Sequence, residues 1–239
     1  MKEYHIFYAP DIEQTSCLPE EEATHAVRVL RMQEGDEVIC TDGRGTLYRC
    51  TITLCTKKSC HLSIDSRQPW HRYWQSDTLL AVAPTKNIDR MEWLAEKATE
   101  IGLDRLTFLL TDNSERTVVK TERIDKILVS AMKQSHKALK PALDGMMRFK
   151  DLLARPFEGQ KFIAHCYDTA TPKPHLKDIC KADTPTLVLI GPEGDFSIDE
   201  VRAAEQAGFQ SVSLGESRLR TETAALAAVH ICNLVKTLP

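Results

Sequence analysis

Two short apolar runs in the C-terminal quarter of this 239-residue chain each lead into a glycine loop and then a helix start. The first run, at 186–190, is followed by Gly191-Pro192-Glu193-Gly194, and the second, at 212–214, is followed by Gly215. The loops after neighbouring parallel strands meet at one edge of a sheet and form a ligand crevice there. The pattern therefore predicts an α/β protein with a binding site at the carboxyl ends of its strands.

The rest of the C-terminal part shows the same alternation of strand and helix patterns. Strands are predicted at 79–83, 106–110, 162–166, 187–190 and 212–214. Helices are predicted at 88–101, at 124–139 with Pro141 as a stop, at 197–208 behind a Ser197–Glu200 capping box, and at 223–235. Such alternation implies a parallel sheet covered by helices on both faces.

The N-terminal part reads differently, as short strands at 4–8, 37–40, 46–54 and 61–64 with a short helix at 24–32. Several short strands joined by tight turns predict a small barrel. We therefore predict one domain at 1–70 and a second at 75–239. The aromatic, basic stretch at 68–75 is either a linker packed against one domain or a surface on which bases stack, and the packed linker is favoured.

Composition limits the classes of protein. Hydrophobic residues make up 42% and charged residues 27%, as in ordinary globular domains. No apolar run is long enough to span a membrane, and the N-terminus lacks a secretory pattern, so we predict a cytoplasmic protein without membrane partners. Cys50, Cys55 and Cys60 lack the usual zinc-ligand spacing, so the eight cysteines are read as reduced thiols and no metal is predicted.

Charge is unevenly distributed along the chain. The net charge of −3 argues against a protein that coats nucleic acid. Residues 116–150, however, hold nine Lys/Arg against three Asp/Glu, a local charge of +6. This segment is either a phosphate-binding face or a solvated helix surface, and charge alone does not separate the two.

The Gly191–Gly194 loop suits a small ligand held by backbone groups. It matches neither the dinucleotide fingerprint nor the P-loop, so a nucleoside or other small ligand is favoured over a pyrophosphate, with a tight turn without ligand as the alternative. Glu222 and a Thr221 or Thr223 N-cap are explained by the start of a helix alone. Arg218 and Arg220 are not, because cations are disfavoured at a helix N-terminus.

These residues resemble the ribosomal RNA small subunit methyltransferase E family, whose members methylate N3 of a uridine in 16S rRNA with S-adenosylmethionine. The most specific matches are Leu-Ile-Gly-Pro-Glu-Gly at 189–194, Leu-Gly at 214–215 and Leu-Arg-Thr-Glu-Thr-Ala at 219–224. Matches at 28–31, 35–36, 96–102 and 133–135 support them, and the resemblance runs essentially end to end.

The resemblance implies a PUA-like β-barrel for RNA at 1–70, a SPOUT-type α/β domain with a trefoil knot at 75–239, and a homodimer acting on 16S rRNA or the small ribosomal subunit. The implied catalytic residues are Arg220 and Glu222. The implied S-adenosylmethionine-binding residues are Ile190, Gly191, Gly194, Leu214, Gly215, Ser217 and Leu219. The implied RNA-binding residues are Arg28, Arg31, Lys86, Arg116, Gln134 and Lys137.

In the hypothesised mechanism, Arg220 stabilises negative charge on the base or orients it, and Glu222 either places Arg220 or accepts the N3 proton. The alternative for both residues is a role in the architecture of the cofactor loop without any part in the chemistry. The sequence departs from the family at three places. Asp195 stands where the family has glycine, Ser217-Arg218 stand where it has Arg-Ile, and Lys137 stands where it has arginine. Two alternatives stay open: a non-enzymatic RNA-binding assembly factor, and a knotted methyltransferase acting on tRNA or on another rRNA site.

Overall fold

The computed structural model describes residues 5–56, 58–168 and 171–238. The chain divides into two compact units. The first comprises Met1–His71 with Val129–Lys140, and the second comprises Arg72–Leu128 with Pro141–Pro239. The first unit therefore includes a segment that is distant in sequence, which no local pattern could reveal.

The first unit contains a four-stranded sheet in the order β1-β2-β3-β4. β1 runs parallel to β2, and the other pairs are antiparallel, with register shifts at Arg49/Cys50 and Ile52/Leu54. The strands are β1 (Ile6–Tyr8), β2 (Glu37–Thr41), β3 (Thr46–Cys55) and β4 (Cys60–Pro69). Tyr4, part of the first predicted strand, lies outside the described residues.

The helical segment of this unit starts earlier than the sequence predicts. It comprises α1 (Ile12–Thr15), α2 (Glu20–Thr24) and a π-helical turn (His25–Val29). Three glutamates occupy the first turn of α2, where the helix dipole favours negative charge, and this accounts for the start at Glu20. Arg31 has a left-handed φ of 57°, so the helix cannot continue to residue 32.

Main-chain hydrogen bonds hold the segment Val129–Lys140 in the first unit. Gly45 N–H donates to the Ala138 carbonyl at 2.9 Å, and Lys140 N–H donates to the Gly43 carbonyl at 2.9 Å. The segment thus supplies partners for backbone groups of the turn between β2 and β3 that would otherwise need water.

The second unit is a six-stranded, fully parallel sheet in the order β10-β8-β9-β5-β6-β7. Its strands are β5 (Thr78–Val82), β6 (Arg105–Leu110), β7 (Ala142–Arg148), β8 (Gln160–Ala164), β9 (Thr186–Ile190) and β10 (Gln210–Val212). Its helices are α3 (Ile88–Ile101), α4 (Thr121–Gln134), α5 (Phe149–Leu153), α6 (Leu176–Ile179), α7 (Ile198–Gln206) and α8 (Thr221–Lys236). The last residues of α4 belong to the first unit.

Both faces of this sheet are buried. Leu80 and Val82 of β5 pack in one apolar cluster with residues of α3 and α8. Ala81 and the following Ala83 pack in a second cluster with residues of α5 and α7. Successive strand residues point to opposite faces, so helices cover the sheet on both sides. The predicted α/β fold with a parallel sheet is confirmed.

Two details of the prediction are wrong. The helix predicted at 124–139 ends at Gln134, and His136 has a left-handed φ of 56° two residues later. β7 was not predicted, because its sequence Ala-Leu-Asp-Gly-Met-Met-Arg has no β-branched or aromatic residue and lacks strict alternation. Asp144 of β7 accepts hydrogen bonds from Arg105 and Thr107 of the neighbouring strand.

The aromatic stretch before β5 is packed at Trp74. Its side chain is 2% exposed, and its Nε1–H donates to the Asp104 carboxylate at 3.1 Å. Burial of the ring excludes Trp74 as a platform for bases and agrees with a packed linker. Within the described part of the chain, no helix is long and apolar enough to cross a membrane.

Candidate active site

A cavity of about 870 Å³ lies at the carboxyl ends of β8, β9 and β10 in the second unit. Its volume falls within the range of about 300–1,000 Å³ typical of small-molecule sites. Both predicted glycine loops line it, and six of the seven predicted cofactor-binding residues are in the lining: Ile190, Gly191, Leu214, Gly215, Ser217 and Leu219. The seventh, Gly194, instead has its carbonyl bonded by the Asn113 amide at 3.2 Å.

The first loop turns sharply at Gly191. A Cβ atom at this position would lie 3.0 Å from the backbone nitrogen of Phe196, closer than side chains normally pack. Any side chain here would therefore force the backbone near Phe196 to shift, and glycine avoids this crowding where the chain folds back after β9. The turn brings the residues that follow the strand against the cavity.

Asp195, where the resemblance leads one to expect glycine, has a left-handed φ of 62°. Aspartate tolerates this conformation better than most residues with a side chain. Its carboxylate accepts hydrogen bonds from the Cys166 and Phe196 amides, each at 2.7 Å. Asp195 therefore replaces the conformational freedom of glycine with two hydrogen bonds that join the first loop to the end of β8.

The second loop offers free backbone donors to the cavity. The amides of residues 216–220 have no hydrogen-bond partner among the described residues, and all five residues line the cavity. Gly215, with a φ of 125°, opens this loop. The N-cap of α8 is Arg220, which makes no side-chain capping bond, so the expectation of a Thr221 or Thr223 cap is wrong. An uncapped helix start suits a ligand with acceptor groups.

Three arginines line the cavity. Arg218 and Arg220 are exposed and have no ion-pair partner within the described residues. The third, Arg90 in the first turn of α3, was not predicted. The only sequence signal for it was a cation at the start of a helix, the same anomaly that identified Arg220. Glu222 is 8% exposed, and its Oε1 lies 3.7 Å from the Arg90 guanidinium.

A polar network at the end of β8 also borders the cavity. Ser211 Oγ donates to the Glu205 carboxylate at 2.7 Å, so we assign Nε2–H of His165 as the donor to Ser211 Oγ at 3.0 Å. Lys173 Nζ donates to the carbonyls of His165 and Tyr167. Burial, with the nearby Lys173 ammonium, lowers the pKa of His165, which favours a neutral imidazole.

Cys166 is an exposed residue of the cavity lining. Partial desolvation of its thiol, together with the adjacent Asp195 carboxylate, raises its pKa. A raised pKa keeps the thiol protonated at neutral pH and therefore poorly nucleophilic. Among the residues that the structure describes, no group of three or more His, Cys, Asp or Glu could hold a metal ion.

The predicted RNA-binding residues differ in how far they are available. Arg28, Arg31 and Gln134 are exposed in the first unit. Arg116 and Lys86 of the second unit are already engaged, since Arg116 donates to the Thr85 and Lys86 carbonyls and Lys86 Nζ lies 3.1 Å from Glu115.

Lys137 does not suit the contact predicted for it. Its side chain is buried, at 3% exposure, although a phosphate contact requires an ammonium that solvent and RNA can reach. The arginine-to-lysine departure therefore falls at a buried position.

Comparison with known proteins shows that the chain is an RNA methyltransferase. The model of the RNA methyltransferase domain matches residues 73–233, and the model of the RNA methyltransferase PUA domain matches residues 18–65. The structure of a probable rRNA-methyltransferase from Porphyromonas gingivalis has 43% identity and a TM-score of 0.92, covering 97% of this chain and 98% of the other.

Two further relatives carry more specific names. Ribosomal RNA small subunit methyltransferase E of Neisseria gonorrhoeae, bound to S-adenosyl methionine, has 25% identity and a TM-score of 0.83, covering 95% of each chain. Ribosomal RNA small subunit methyltransferase E of Aquifex aeolicus is 27% identical over 95% of this chain and 98% of its own. The chain belongs to the ribosomal RNA small subunit methyltransferase E family.

The cavity also fits S-adenosylmethionine on its own chemistry. Apolar residues such as Ile190, Val212 and Leu214 offer a surface for an adenine ring, while the free amides of 216–220 offer donors to its polar groups. Four cationic and three acidic side chains line the same space, so the carboxylate of the cofactor and its ammonium and sulfonium groups can each meet charges of opposite sign.

Proposed function

We propose that this protein methylates N3 of a specific uridine in 16S rRNA of the small ribosomal subunit, with S-adenosylmethionine as the methyl donor. One observation carries the proposal: the two family-specific loops meet at a single cavity that also presents Arg220. The named relatives and the matching RNA methyltransferase models support it.

In this proposal, one set of residues binds the cofactor and another acts on the base. The first loop, around Gly191, and the second loop, from Leu214 to Leu219, bind the cofactor through backbone groups and apolar contacts. S-adenosylmethionine held there would supply an activated sulfonium methyl for N3, and the electron pair of the broken carbon–sulfur bond would stay on sulfur. The protein would hold the base in line with this methyl.

Arg220 acts on the base in this proposal. N3 of uracil must lose its proton, and the resulting anion places charge on the flanking carbonyl oxygens. An exposed guanidinium without an ion-pair partner in the described chain is free to donate to one of these oxygens. Glu222 is not among the residues that line the cavity, and its carboxylate pairs with Arg90, which supports a role in placing a cation more than one in accepting the proton.

The target nucleotide must be unpaired or flipped to expose N3. We infer that the domain at 1–70 forms a PUA-like barrel and that Arg28 and Arg31 contact rRNA phosphates around the target. The domain at 75–239 would carry the trefoil knot of SPOUT enzymes, and two subunits would complete each active site as a homodimer. The family relationship supports these four features.

The test is to map the methylated nucleotide. Small subunits from a strain lacking the protein are incubated with purified enzyme and methyl-labelled cofactor, with tRNA and large subunits as parallel substrates. We expect label at one uridine of 16S rRNA. Label on tRNA or on another rRNA site would replace this function with that of a related methyltransferase. Cofactor binding without label on any RNA would favour a non-enzymatic assembly factor.

A further inference from the structure

Helix stability does not explain why an arginine occupies position 90. It lies in the first turn of α3, behind the Asn87 N-cap, and the helix dipole disfavours a cation at that end. Its side chain lines the cavity and is 35% exposed, so it faces the space that the cofactor and base would share. A residue that opposes local stability at a binding site is a candidate for function.

Glu222 gives a second, independent observation. Glu222 is 8% exposed, and its Oε1 lies 3.7 Å from the Arg90 guanidinium. Its Oε2 is buried and has no hydrogen-bond partner in the described part of the chain. A buried carboxylate with an unsatisfied oxygen is costly to keep, and the cation beside it is Arg90. This ion pair links Glu222, at the start of α8, to the Arg90 guanidinium at the wall of the cavity.

The chemistry of uracil calls for a second cation. When the N3–H bond breaks, the proton passes to water and the electron pair left on N3 is shared with the carbonyl oxygens at C2 and C4. One cation beside each oxygen stabilises that anion better than one cation alone. Arg220 precedes α8 and Arg90 begins α3, and both line the same cavity.

We propose that Arg90 is a second catalytic residue, whose guanidinium contacts the uracil carbonyl that Arg220 does not, and that Glu222 is the positioning residue that orients Arg90. The inference rests on the proposed uridine-N3 methylation. It gives Glu222 the role of orienting Arg90, whereas the sequence analysis predicts that Glu222 places Arg220 or accepts the N3 proton.

The test compares pH–rate profiles at saturating cofactor and RNA for the parent, Arg90→Met and Arg90→Lys. A cation beside the base lowers the pH at which N3 ionises. Arg90→Met should therefore reduce kcat about tenfold at neutral pH and shift the profile about one unit upward, with the deficit shrinking as pH rises. Arg90→Lys should recover part of the shift. Arg202→Met is the matched control, because Arg202 pairs with Asp199 on α7, away from the cavity.

Glu222→Gln separates positioning from proton transfer. If Glu222 acts through Arg90, the double variant with Arg90→Met should be no slower than Arg90→Met alone. Cofactor affinity, measured by calorimetry without RNA, should stay within about threefold of the parent in every variant, a difference under about 0.7 kcal/mol. Additive losses in the double variant would overturn the positioning role.

Two outcomes distinguish this inference from the proposed function. A parent that methylates no uridine refutes both. An active parent whose profile is unchanged by Arg90→Met refutes only the inference. If Arg90→Met does not fold, as judged by thermal unfolding, Arg90→Gln takes its place with the same expected shift.

Discussion

Asp195 shows how one residue can keep a loop conformation by different means. The family glycine would reach a φ of 62° without strain, whereas Asp195 reaches it and binds the Cys166 and Phe196 amides. The departure therefore preserves the shape of the first loop. It also makes the end of β8 and the loop after β9 depend on one carboxylate.

Replacing Asp195 should reveal these two contributions separately. Asp195→Ala loses both hydrogen bonds and keeps the unfavourable φ, so we expect the free energy of unfolding to fall by about 2–4 kcal/mol. Asp195→Gly also loses both hydrogen bonds but adopts this φ without strain. Its free energy of unfolding should therefore fall by about 1–2 kcal/mol less than that of Asp195→Ala. Urea unfolding measures both, with Asp195→Asn as the conservative control. Equal losses for alanine and glycine would show that φ carries no strain.

Arg220 is the residue on which the proposed chemistry depends most. Removing a single donor to a developing negative charge typically lowers kcat by about 10²–10³-fold, and we expect Arg220→Ala to behave in this way. Cofactor affinity, measured separately by calorimetry, should change little. Arg202→Ala on α7 is the control. Turnover within about tenfold of the parent, a barrier change below about 1.4 kcal/mol, would exclude a catalytic role for Arg220.

Among helices and strands, those with strong local sequence patterns were predicted and those stabilised by distant contacts were not. β9 and α7 were predicted because one is a continuous apolar run and the other opens with a capping box, which the structure confirms at Ser197 and Glu200. β7 was missed because it is stabilised by pairing with β6 and by Asp144, contacts that its own sequence does not encode. Arg90 was missed for the same reason, since its significance depends on Glu222, 132 positions away.

The capping box of α7 should be worth a measurable share of stability. Ser197 Oγ accepts from the Glu200 amide and donates to the Asp112 carboxylate at 2.7 Å. Ser197→Ala removes both bonds, and we expect a loss of about 1–2 kcal/mol in the free energy of unfolding. Ser197→Thr keeps the hydroxyl and serves as the control. Thermal and urea unfolding provide the measurement, and a loss equal to that of the threonine variant would contradict the capping role.

For the whole molecule, RNA binding should depend on salt despite the net charge of −3. Arg28 and Arg31 are exposed and have no ion-pair partner in the described chain, so each can neutralise an RNA phosphate and release the counterions condensed on it. For single-stranded RNA, replacing both arginines with alanine should make the negative slope of log K against log salt shallower by about 1.4. Fluorescence polarisation with a 16S rRNA fragment measures the slope, with Arg202→Ala as the control. An unchanged slope would show that Arg28 and Arg31 do not contact the RNA phosphates.

The two-unit organisation could not be read from the sequence, because a contact between distant segments leaves no periodic signal. Val129–Lys140 completes the first unit through the Gly45–Ala138 and Gly43–Lys140 hydrogen bonds. Lys133 also pairs with the partly buried Glu22. A fragment that ends at the apparent domain boundary therefore lacks part of its own fold.

This organisation makes a prediction about fragments. Residues 1–71 alone should be less stable than the same fragment carrying 129–140 on a flexible linker, by about 2–4 kcal/mol for the lost hydrogen bonds and ion pair. Circular dichroism melting compares the two, and a fragment carrying a scrambled 129–140 segment controls for the added length. If the scrambled and native segments raise the melting temperature equally, the first unit does not need its distant segment.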